Sequence, residues 1–280
     1  MVKKGANIFW LIAILILLTL SFACQPFSKK ASLAPQVKVG AEVFLAEYLH
    51  LVKGKNVGLV TNPSAVDSQI RPIIDLFFHH PEIKLVALYG PEHGVRGNAQ
   101  AGEYVPFYID QKYNLPVISL YGQSRRPSTE MLADIDAFMR SFDTVKEGKT
   151  LEEEHIRGLD VLIFDIQDVG TRVYTYIATM AYCLEACAEA GVEFIVLDRP
   201  NPINGVMMEG PLLEYPQYSS FVGLYPIPLR HGLTVGELAL YFNDRFLAKK
   251  AHLQVIPMKG WRRSMWFDET GLPWVMPSPN

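Results

Sequence analysis

The side chains best suited to proton-transfer chemistry stand in two short polar turns of this sequence. Glu92 and His93 are neighbours in a segment flanked by glycines, and Asp165 and Asp168 lie three residues apart in another. Carboxyl and imidazole groups at suitable positions act as general acids and bases. The flanking glycines would let the backbone approach a ligand closely. These residues therefore predict acid–base catalysis, with Glu92 as the first candidate.

Each of these turns follows a short apolar run that is typical of a buried strand. Such runs lie at 57–60, 84–88, 117–120, 161–164 and 194–197, and helix-like segments at 70–78, 128–142 and about 173–190 alternate with them. Apolar runs bounded by turn residues and alternating with helices indicate a parallel sheet covered on both faces. The fold class predicted from the residues is therefore α/β, with an open parallel sheet.

In an open parallel sheet, the turns that follow the strands emerge along one edge, and ligands bind there. All five turns of this sequence are polar and rich in glycine or proline. They are 61–64, 90–97, 121–122, 165–172 and 198–202. We therefore predict one ligand-binding crevice at the carboxyl ends of the strands.

Several ligand classes are disfavoured by what the sequence lacks. No G-x-G-x-x-G follows the first strand and no G-x-x-x-x-G-K-[ST] occurs, which argues against a dinucleotide or P-loop site. The formal net charge is −3, and without a basic stripe no nucleic-acid partner is expected. His93, Asp165, Asp168 and His231 lack the short spacing of metal ligands. We expect neither a metal nor another cofactor.

The first 24 residues have the layout of a secretory signal peptide, with two lysines before an apolar run at 8–20. That run is short for a membrane-spanning helix, which needs about 20 residues. The segment 21–24 resembles a lipoprotein cleavage site in which Cys24 becomes lipidated, although Ser21 stands where Leu is usual. We expect a periplasmic or cell-surface lipoprotein. Plain secretion and an uncleaved anchor are the alternatives.

Long and unusual motifs make the chain similar to the NamZ-type exo-β-N-acetylmuramidases. They are GPEHG at 90–94, FDIQDVGTR at 164–172, TYI at 175–177, LDRPNP at 197–202 and EGP at 209–211. The resemblance extends through VGLVTNPSA at 57–65, LRHGLTVGELA at 229–239 and PWVMPSPN at 273–280. It implies a Rossmann-like domain, a smaller C-terminal domain and an active site in the cleft between them.

The activity implied by the resemblance is exo-hydrolysis of β-linked N-acetylmuramic acid from non-reducing ends of peptidoglycan fragments, in cell-wall turnover and recycling. Glycoside hydrolysis usually needs one protonated carboxyl and a second carboxylate that acts as nucleophile or base. Glu92, assisted by His93, is expected to be the acid or base, and Asp165 or Asp168 the second group. The 2-acetamido group of the substrate could also assist, so the stereochemical course stays open.

The substrate implied by the resemblance also carries a lactyl carboxylate, which a guanidinium could pair with in two places. Its hydroxyl and acetamido groups could bind amide or imidazole side chains, and its ring could lie on an aromatic face. The candidates are Arg96, Arg172 and Arg199 for the carboxylate, Asn62, Gln167, Asn201 and His231 for the polar groups, and Tyr174 and Tyr176 for the ring.

The predicted organisation is a signal peptide at 1–24, a linker at 25–44, a catalytic domain at 45–250 and the start of a C-terminal domain at 251–280. Residues 136–158 are an insertion relative to the family and are predicted to form a surface helical hairpin. Family chains continue beyond the PSPN motif, so the second domain is expected to be incomplete here.

Two functions of other classes remain compatible with the sequence. One is a lipoprotein that binds cell-wall fragments without cleaving them, and the other is a metal-dependent hydrolase. A chromogenic β-N-acetylmuraminide assayed with and without chelator separates both from a metal-independent glycosidase.

The predicted lipid anchor can be tested at its cysteine. Cys24→Ala should leave the protein unprocessed or release it from the membrane fraction, because the lipid is attached to that sulfur. Cell fractionation and the mass of the mature chain measure this, with Cys183→Ala as the control that keeps Cys24. Normal processing and unchanged membrane attachment of Cys24→Ala would rule out this anchor.

Overall fold

The structure, a computed structural model, describes residues 37–122, 125–141 and 158–278. The predicted signal peptide with Cys24, most of the predicted linker and most of the predicted insertion lie outside the described residues. No helix in the described ranges is both long and apolar enough to cross a membrane.

A seven-stranded sheet forms the centre of the described fold. In the order in which they lie side by side, its strands are β3 (Tyr108–Asp110), β4 (Leu115–Ser119), β2 (Lys84–Gly90), β1 (Asn56–Thr61), β5 (Val161–Asp165), β6 (Glu193–Leu197) and β9 (Leu253–Ile256). Only the edge strand β3 is antiparallel to its neighbour. The parallel strands follow the order of a Rossmann sheet, in which the strand order reverses between β1 and β5. The predicted Rossmann-like α/β fold is confirmed.

Helices cover both faces of this sheet. One face carries α1 (Gly40–Glu47) and α2 (Ile73–Phe78), and the other carries α3 (Thr129–Ala133), α4 (Ile135–Arg140), α5 (Tyr176–Ala190) and α6 (Val235–Arg245). Along β5, Val161 and Ile163 pack into the hydrophobic core under α1 and α2. Leu162 and Phe164 pack into the core on the opposite face, under α3 to α6. Successive side chains of a strand alternate between faces, so both faces of the central strands are buried.

The helix predicted over 128–142 is divided in two. Ser128 caps α3 as expected, but Asp134 ends that helix and its carboxylate accepts the backbone N–H of Ala137 at 2.8 Å. Asp134 thereby becomes the N-cap of α4. The prediction of one continuous helix was wrong because the sequence signal of this second cap was overlooked.

The predicted domain boundaries at residues 45 and 250 are not boundaries in the structure. Gly40, placed in the linker, begins α1, and its N–H donates to the carbonyl of Asp198 at 2.8 Å. Strand β9, placed in the second domain, pairs with β6 along its whole length. This pairing satisfies backbone groups that β6 would otherwise leave open. Residues 37–44 and 251–278 therefore belong to the same compact unit as the sheet.

A separate ribbon of two antiparallel strands, β7 (Glu209–Leu212) and β8 (Pro228–Arg230), lies outside the main sheet. After β8 the chain enters α6 through a capping box. The Thr234 hydroxyl accepts the N–H of Glu237 at 3.2 Å, and the Glu237 carboxylate accepts the N–H of Thr234 at 2.9 Å. The pattern Thr-x-x-Glu at 234–237 is the sequence signature of such a cap.

Asp198 at the end of β6 holds the start of α6 in place. Its carboxylate accepts the N–H of Gly236 at 2.8 Å, the hydroxyl of Thr234 at 2.9 Å and the N–H of Arg199 at 3.0 Å. Burial raises the pKa of Asp198 from 3.8 to about 6, and these hydrogen bonds only partly oppose that rise. The carboxylate is therefore ionised in the fold at a cost.

The stability of the fold should decrease as the pH rises through the pKa of Asp198. A folded-state pKa above the unfolded value stabilises the protein below about pH 4, and that contribution is lost by about pH 6.5. The shift corresponds to roughly 3 kcal/mol. Urea unfolding between pH 4 and 7 should show this component in the wild type and not in Asp198→Asn, which keeps an acceptor oxygen. Parallel pH profiles of the two proteins would contradict the assignment.

Candidate active site

The carboxyl ends of the strands bring together polar residues that are far apart in the sequence. Glu92 follows β2, Asp168 follows β5 and His231 follows β8. The last described segment also reaches this edge, where the Ser278 hydroxyl contacts His93 at 3.1 Å. The predicted crevice edge therefore gathers both carboxylate-bearing turns.

Glu92 is half-buried, and hydroxyl groups hold its carboxylate. One oxygen accepts the hydroxyl of Thr175 at 2.9 Å and the other accepts the N–H of Gly102 at 3.3 Å. The Tyr121 hydroxyl also lies near Glu92, because the pKa of Tyr121 is raised by burial first and by its interaction with Glu92 second. A hydroxyl can donate or accept, so Thr175 and Tyr121 can serve either protonation state of Glu92. This environment suits a group that exchanges a proton.

His93 links the Glu92 turn to the last described segment. Its φ of 69° lies in the left-handed region, which non-glycine residues rarely adopt. Nδ1 lies 2.9 Å from the carbonyl of Ala99 and must carry the proton to bond it, so Nε2 accepts the hydroxyl of Ser278. Both ring nitrogens are thus engaged, and neither is available to exchange a proton with Glu92.

Asp165 and Arg199 form a buried ion pair between the ends of β5 and β6. The guanidinium donates to the two carboxylate oxygens at 2.6 and 2.9 Å and to the carbonyl of Val66 at 3.0 Å. Asp165 is fully buried and Arg199 is 4% exposed. Both carboxylate oxygens of Asp165 are thus bound by Arg199 in a two-point pair.

Asp168 keeps one carboxylate oxygen unused. Oδ2 accepts the N–H of Gly170 at 2.7 Å, and the Nε2 of His231 faces it at 3.3 Å, too poorly aligned for a hydrogen bond. Nδ1 of His231 accepts the N–H of Leu233 at 3.2 Å, which places the proton of the neutral ring on Nε2. Oδ1 of Asp168 is buried with no hydrogen-bond partner among the described residues. A buried acceptor without a partner is costly, and its presence in a native fold calls for an explanation such as a catalytic role.

Tyr174 lies near both of these carboxyl groups. Its ring packs edge-to-face on Tyr176, with centroids 5.1 Å apart. Burial raises the pKa of Tyr174, the hydrogen bond with Ser278 lowers it, and the charges of Asp168 and Glu92 raise it further. The phenol is therefore close enough to interact with both carboxylates.

Within 37–122, 125–141 and 158–278, no three His, Cys, Asp or Glu side chains form a group that could hold a metal ion.

The three amides predicted to bind substrate hold the turns together. Asn62, Gln167 and Asn201 are buried, and each donates a side-chain N–H to a distant backbone carbonyl at 2.9 Å. The acceptors are Pro277, Pro200 and Leu233, respectively. These side chains position the crevice through hydrogen bonds within the protein.

The other two arginines predicted to bind a carboxylate are also engaged within the protein. Arg96 pairs with Asp110 at 2.6 Å on the edge strand β3. Arg172 donates to the carbonyls of Pro211 at 2.8 Å and Ile227 at 2.6 Å. With Arg199 held by Asp165, all three predicted arginines have internal partners.

Sequence reasoning overlooked Arg125, which lies just beyond the turn that follows β4. Its guanidinium sits over the rings of Tyr121 and Phe221, at 5.0 and 4.6 Å from their centroids. It forms no ion pair with any described residue. The third strand-end turn had been noted only as far as Gly122, and extending it by three residues would have found this cation.

Comparisons with known proteins place these motifs in a wider context. Residues 57–145 and 140–280 match the family model described as the N-terminal part of the exo-β-N-acetylmuramidase NamZ. These two segments meet within the predicted insertion. A curated relative, the peptidoglycan β-N-acetylmuramidase NamZ of Bacillus subtilis (strain 168), is 49% identical over 259 residues. The alignment covers 92% of this chain and 56% of the relative.

Crystal structures of two DUF1343 family proteins from Bacteroides fragilis are similar in fold. One has a TM-score of 0.74 at 43% identity and covers 88% of this chain and 56% of that protein. The other has a TM-score of 0.62 at 34% identity, with coverages of 82% and 54%. The chain thus spans about half the length of these relatives.

The two aspartates of the β5 turn should respond differently to loss of charge. Asp165→Asn leaves Arg199 buried without its counterion, and we expect it to lower the free energy of unfolding by about 3–5 kcal/mol. Asp168→Asn keeps an acceptor for Gly170 and should cost at least about 2 kcal/mol less. Urea denaturation measures both. Equal losses in the two variants would contradict a structural role for Asp165.

Proposed function

Because the chain belongs to the NamZ exo-β-N-acetylmuramidase family, we propose that it cleaves terminal β-linked N-acetylmuramic acid from peptidoglycan fragments. The observation that carries this proposal is the pair formed by Glu92, whose hydroxyl partners suit either protonation state, and Asp168, with its unpartnered oxygen. The name of the Bacillus subtilis relative, a peptidoglycan β-N-acetylmuramidase, supports the same substrate class.

Glu92 is the proposed acid and base. In the first step its carboxyl proton passes to the glycosidic oxygen as the bond from that oxygen to the anomeric carbon breaks. The remaining glycan then leaves as a neutral alcohol. Water supplies the new oxygen on the anomeric carbon. The proton that this water releases returns to Glu92 directly or, where Asp168 accepts it first, by way of solvent. Thr175 and Tyr121 turn their hydroxyls to match each state, so the environment reorganises little during the cycle.

Asp168 is the proposed second carboxylate. Asp165 is unsuited to that role because Arg199 occupies both of its oxygens. The free Oδ1 of Asp168 can accept a proton from a water molecule or from the 2-acetamido N–H of the substrate. The N–H of Gly170 binds the other oxygen and keeps the carboxylate oriented. The anomer released first, observed by NMR, distinguishes a single displacement from a double one.

The proposed site of action is outside the cytoplasm. Peptidoglycan lies outside the cytoplasmic membrane. The layout of residues 1–24 supports export, with a lipid on Cys24. Removal of terminal N-acetylmuramic acid would contribute to cell-wall turnover and recycling.

Glu92→Gln should abolish most turnover without unfolding the protein. The amide keeps the size and most hydrogen bonds of Glu92 but cannot deliver a proton, and general acid–base assistance is worth about 10² to 10⁴ in rate. Turnover of a chromogenic β-N-acetylmuraminide measures the loss, and the melting temperature should stay nearly unchanged.

A matched control is Glu103→Gln, which changes an exposed glutamate in the same loop. Its carboxylate accepts only the local N–H of Gln100 at 2.8 Å, so turnover should be near that of the wild type. If Glu92→Gln keeps more than about a tenth of wild-type turnover, Glu92 is not the acid–base group.

A further inference from the structure

A second cleft opens beside Gly122, the residue that follows Tyr121. It has a volume of about 570 Å³, and its lining includes Arg125, Tyr182 and Phe221. This volume falls within the range of small-molecule sites. Tyr182 and Phe221 are stacked, with centroids 6.0 Å apart and planes inclined by 14°, and offer apolar ring surface. The cleft thus has room for a sugar and an aromatic wall against which to place it.

The guanidinium of Arg125 lies in this cleft without an ion pair to any described residue. The carboxylate in the lining, Glu185, accepts the Tyr225 hydroxyl at 2.8 Å and lies 3.6 Å from Arg126. The faces of Tyr121 and Phe221 attract a cation through their π electrons but carry no net charge. Arg126, the next residue, differs because its guanidinium pairs with Glu189 at 2.6 Å and lies 3.6 Å from Glu185. Of these two adjacent arginines, only Arg125 keeps its charge available for an anion.

The position of Arg125 relative to Glu92 determines how far a bound carboxylate would lie from the glycosidic bond that is cleaved. Tyr121 is a neighbour of both residues, because its ring lies 5.0 Å from the Arg125 guanidinium and its hydroxyl is near enough to Glu92 for that carboxylate to raise its pKa. In N-acetylmuramic acid, the lactyl group that carries the carboxylate is attached through O3, two ring carbons from the anomeric carbon. A sugar ring with its anomeric carbon at Glu92 would direct that carboxylate away from the reacting bond and toward the cation.

We propose that Arg125 binds the lactyl carboxylate of the terminal N-acetylmuramic acid and thereby selects this sugar over N-acetylglucosamine. This inference rests on the proposed function, because the sugar is placed by its scissile bond at Glu92. A guanidinium pairs with a carboxylate through two parallel hydrogen bonds, which gives orientation as well as affinity. N-acetylglucosamine lacks the lactyl group and gains nothing from the cation.

The test compares binding of the two free sugars to the chain by titration calorimetry. The wild type should prefer N-acetylmuramic acid. Arg125→Gln should weaken its binding about 10- to 100-fold, the range expected for a hydrogen-bonded charge pair, while binding of N-acetylglucosamine changes little. Arg125→Lys should give an intermediate affinity, since an ammonium keeps the charge but not the two-point geometry.

Arg126→Gln is the matched control, because it removes the same charge from the next residue, where that charge is already paired. It should leave the preference between the sugars intact. The inference is overturned if Arg125→Gln behaves like Arg126→Gln, if both sugars lose affinity equally, or if the wild type shows no preference.

Hydrolysis of the corresponding chromogenic glycosides separates this inference from the proposed function. For the muraminide, Arg125→Gln should raise KM with little change in kcat, as expected for a contact made equally in ground and transition states. A wild type that prefers N-acetylmuramic acid in binding but cleaves neither glycoside would refute the proposed activity and leave the role of Arg125 standing. Unchanged muraminide kinetics in Arg125→Gln would do the reverse.

Discussion

The buried pair of Asp165 and Arg199 is the interaction on which the crevice depends. It joins the ends of β5 and β6, and through the carbonyl of Val66 it also holds the segment after β1. The order of the strands reverses between β1 and β5, so the turns that follow β1, β5 and β6 form the walls of the crevice. A charge pair without solvent is tolerated only when every donor and acceptor is satisfied. The geometry of this pair therefore fixes the relative positions of the turns that form the crevice walls.

The rest of the crevice is divided between groups that hold the structure and groups that remain available to a ligand. Amides and guanidiniums with internal carbonyl or carboxylate partners do the holding, whereas Glu92, Oδ1 of Asp168 and the guanidinium of Arg125 are available. The two sets differ in the groups that contact them. Hydroxyl groups around Glu92 adapt to its protonation, and aromatic faces under Arg125 fix its position without cancelling its charge.

Much of this arrangement could be predicted from the sequence, because unbroken apolar runs and the turns after them are local signals. The five predicted strands, the α6 cap and the crevice edge all follow from such signals. The distinction between Asp165 and Asp168 does not, since they share one turn and differ only in partners brought from elsewhere. Arg199 is 34 residues from Asp165. Strands β3, β7, β8 and β9 are three or four residues long, too short for a periodic pattern.

The segment at 277–278 has a consequence for the order in which the protein is completed during synthesis. The carbonyl of Pro277 binds Asn62, which lies 215 residues earlier, and Tyr176, which lies 101 earlier, while Ser278 binds His93, which lies 185 earlier. The sheet from β1 to β6 can pair before this segment leaves the ribosome. The crevice edge cannot be completed then, because these hydrogen bonds come from residues translated after the strands of the described sheet. A nascent chain would thus acquire the core of this sheet before the contacts that complete the crevice edge.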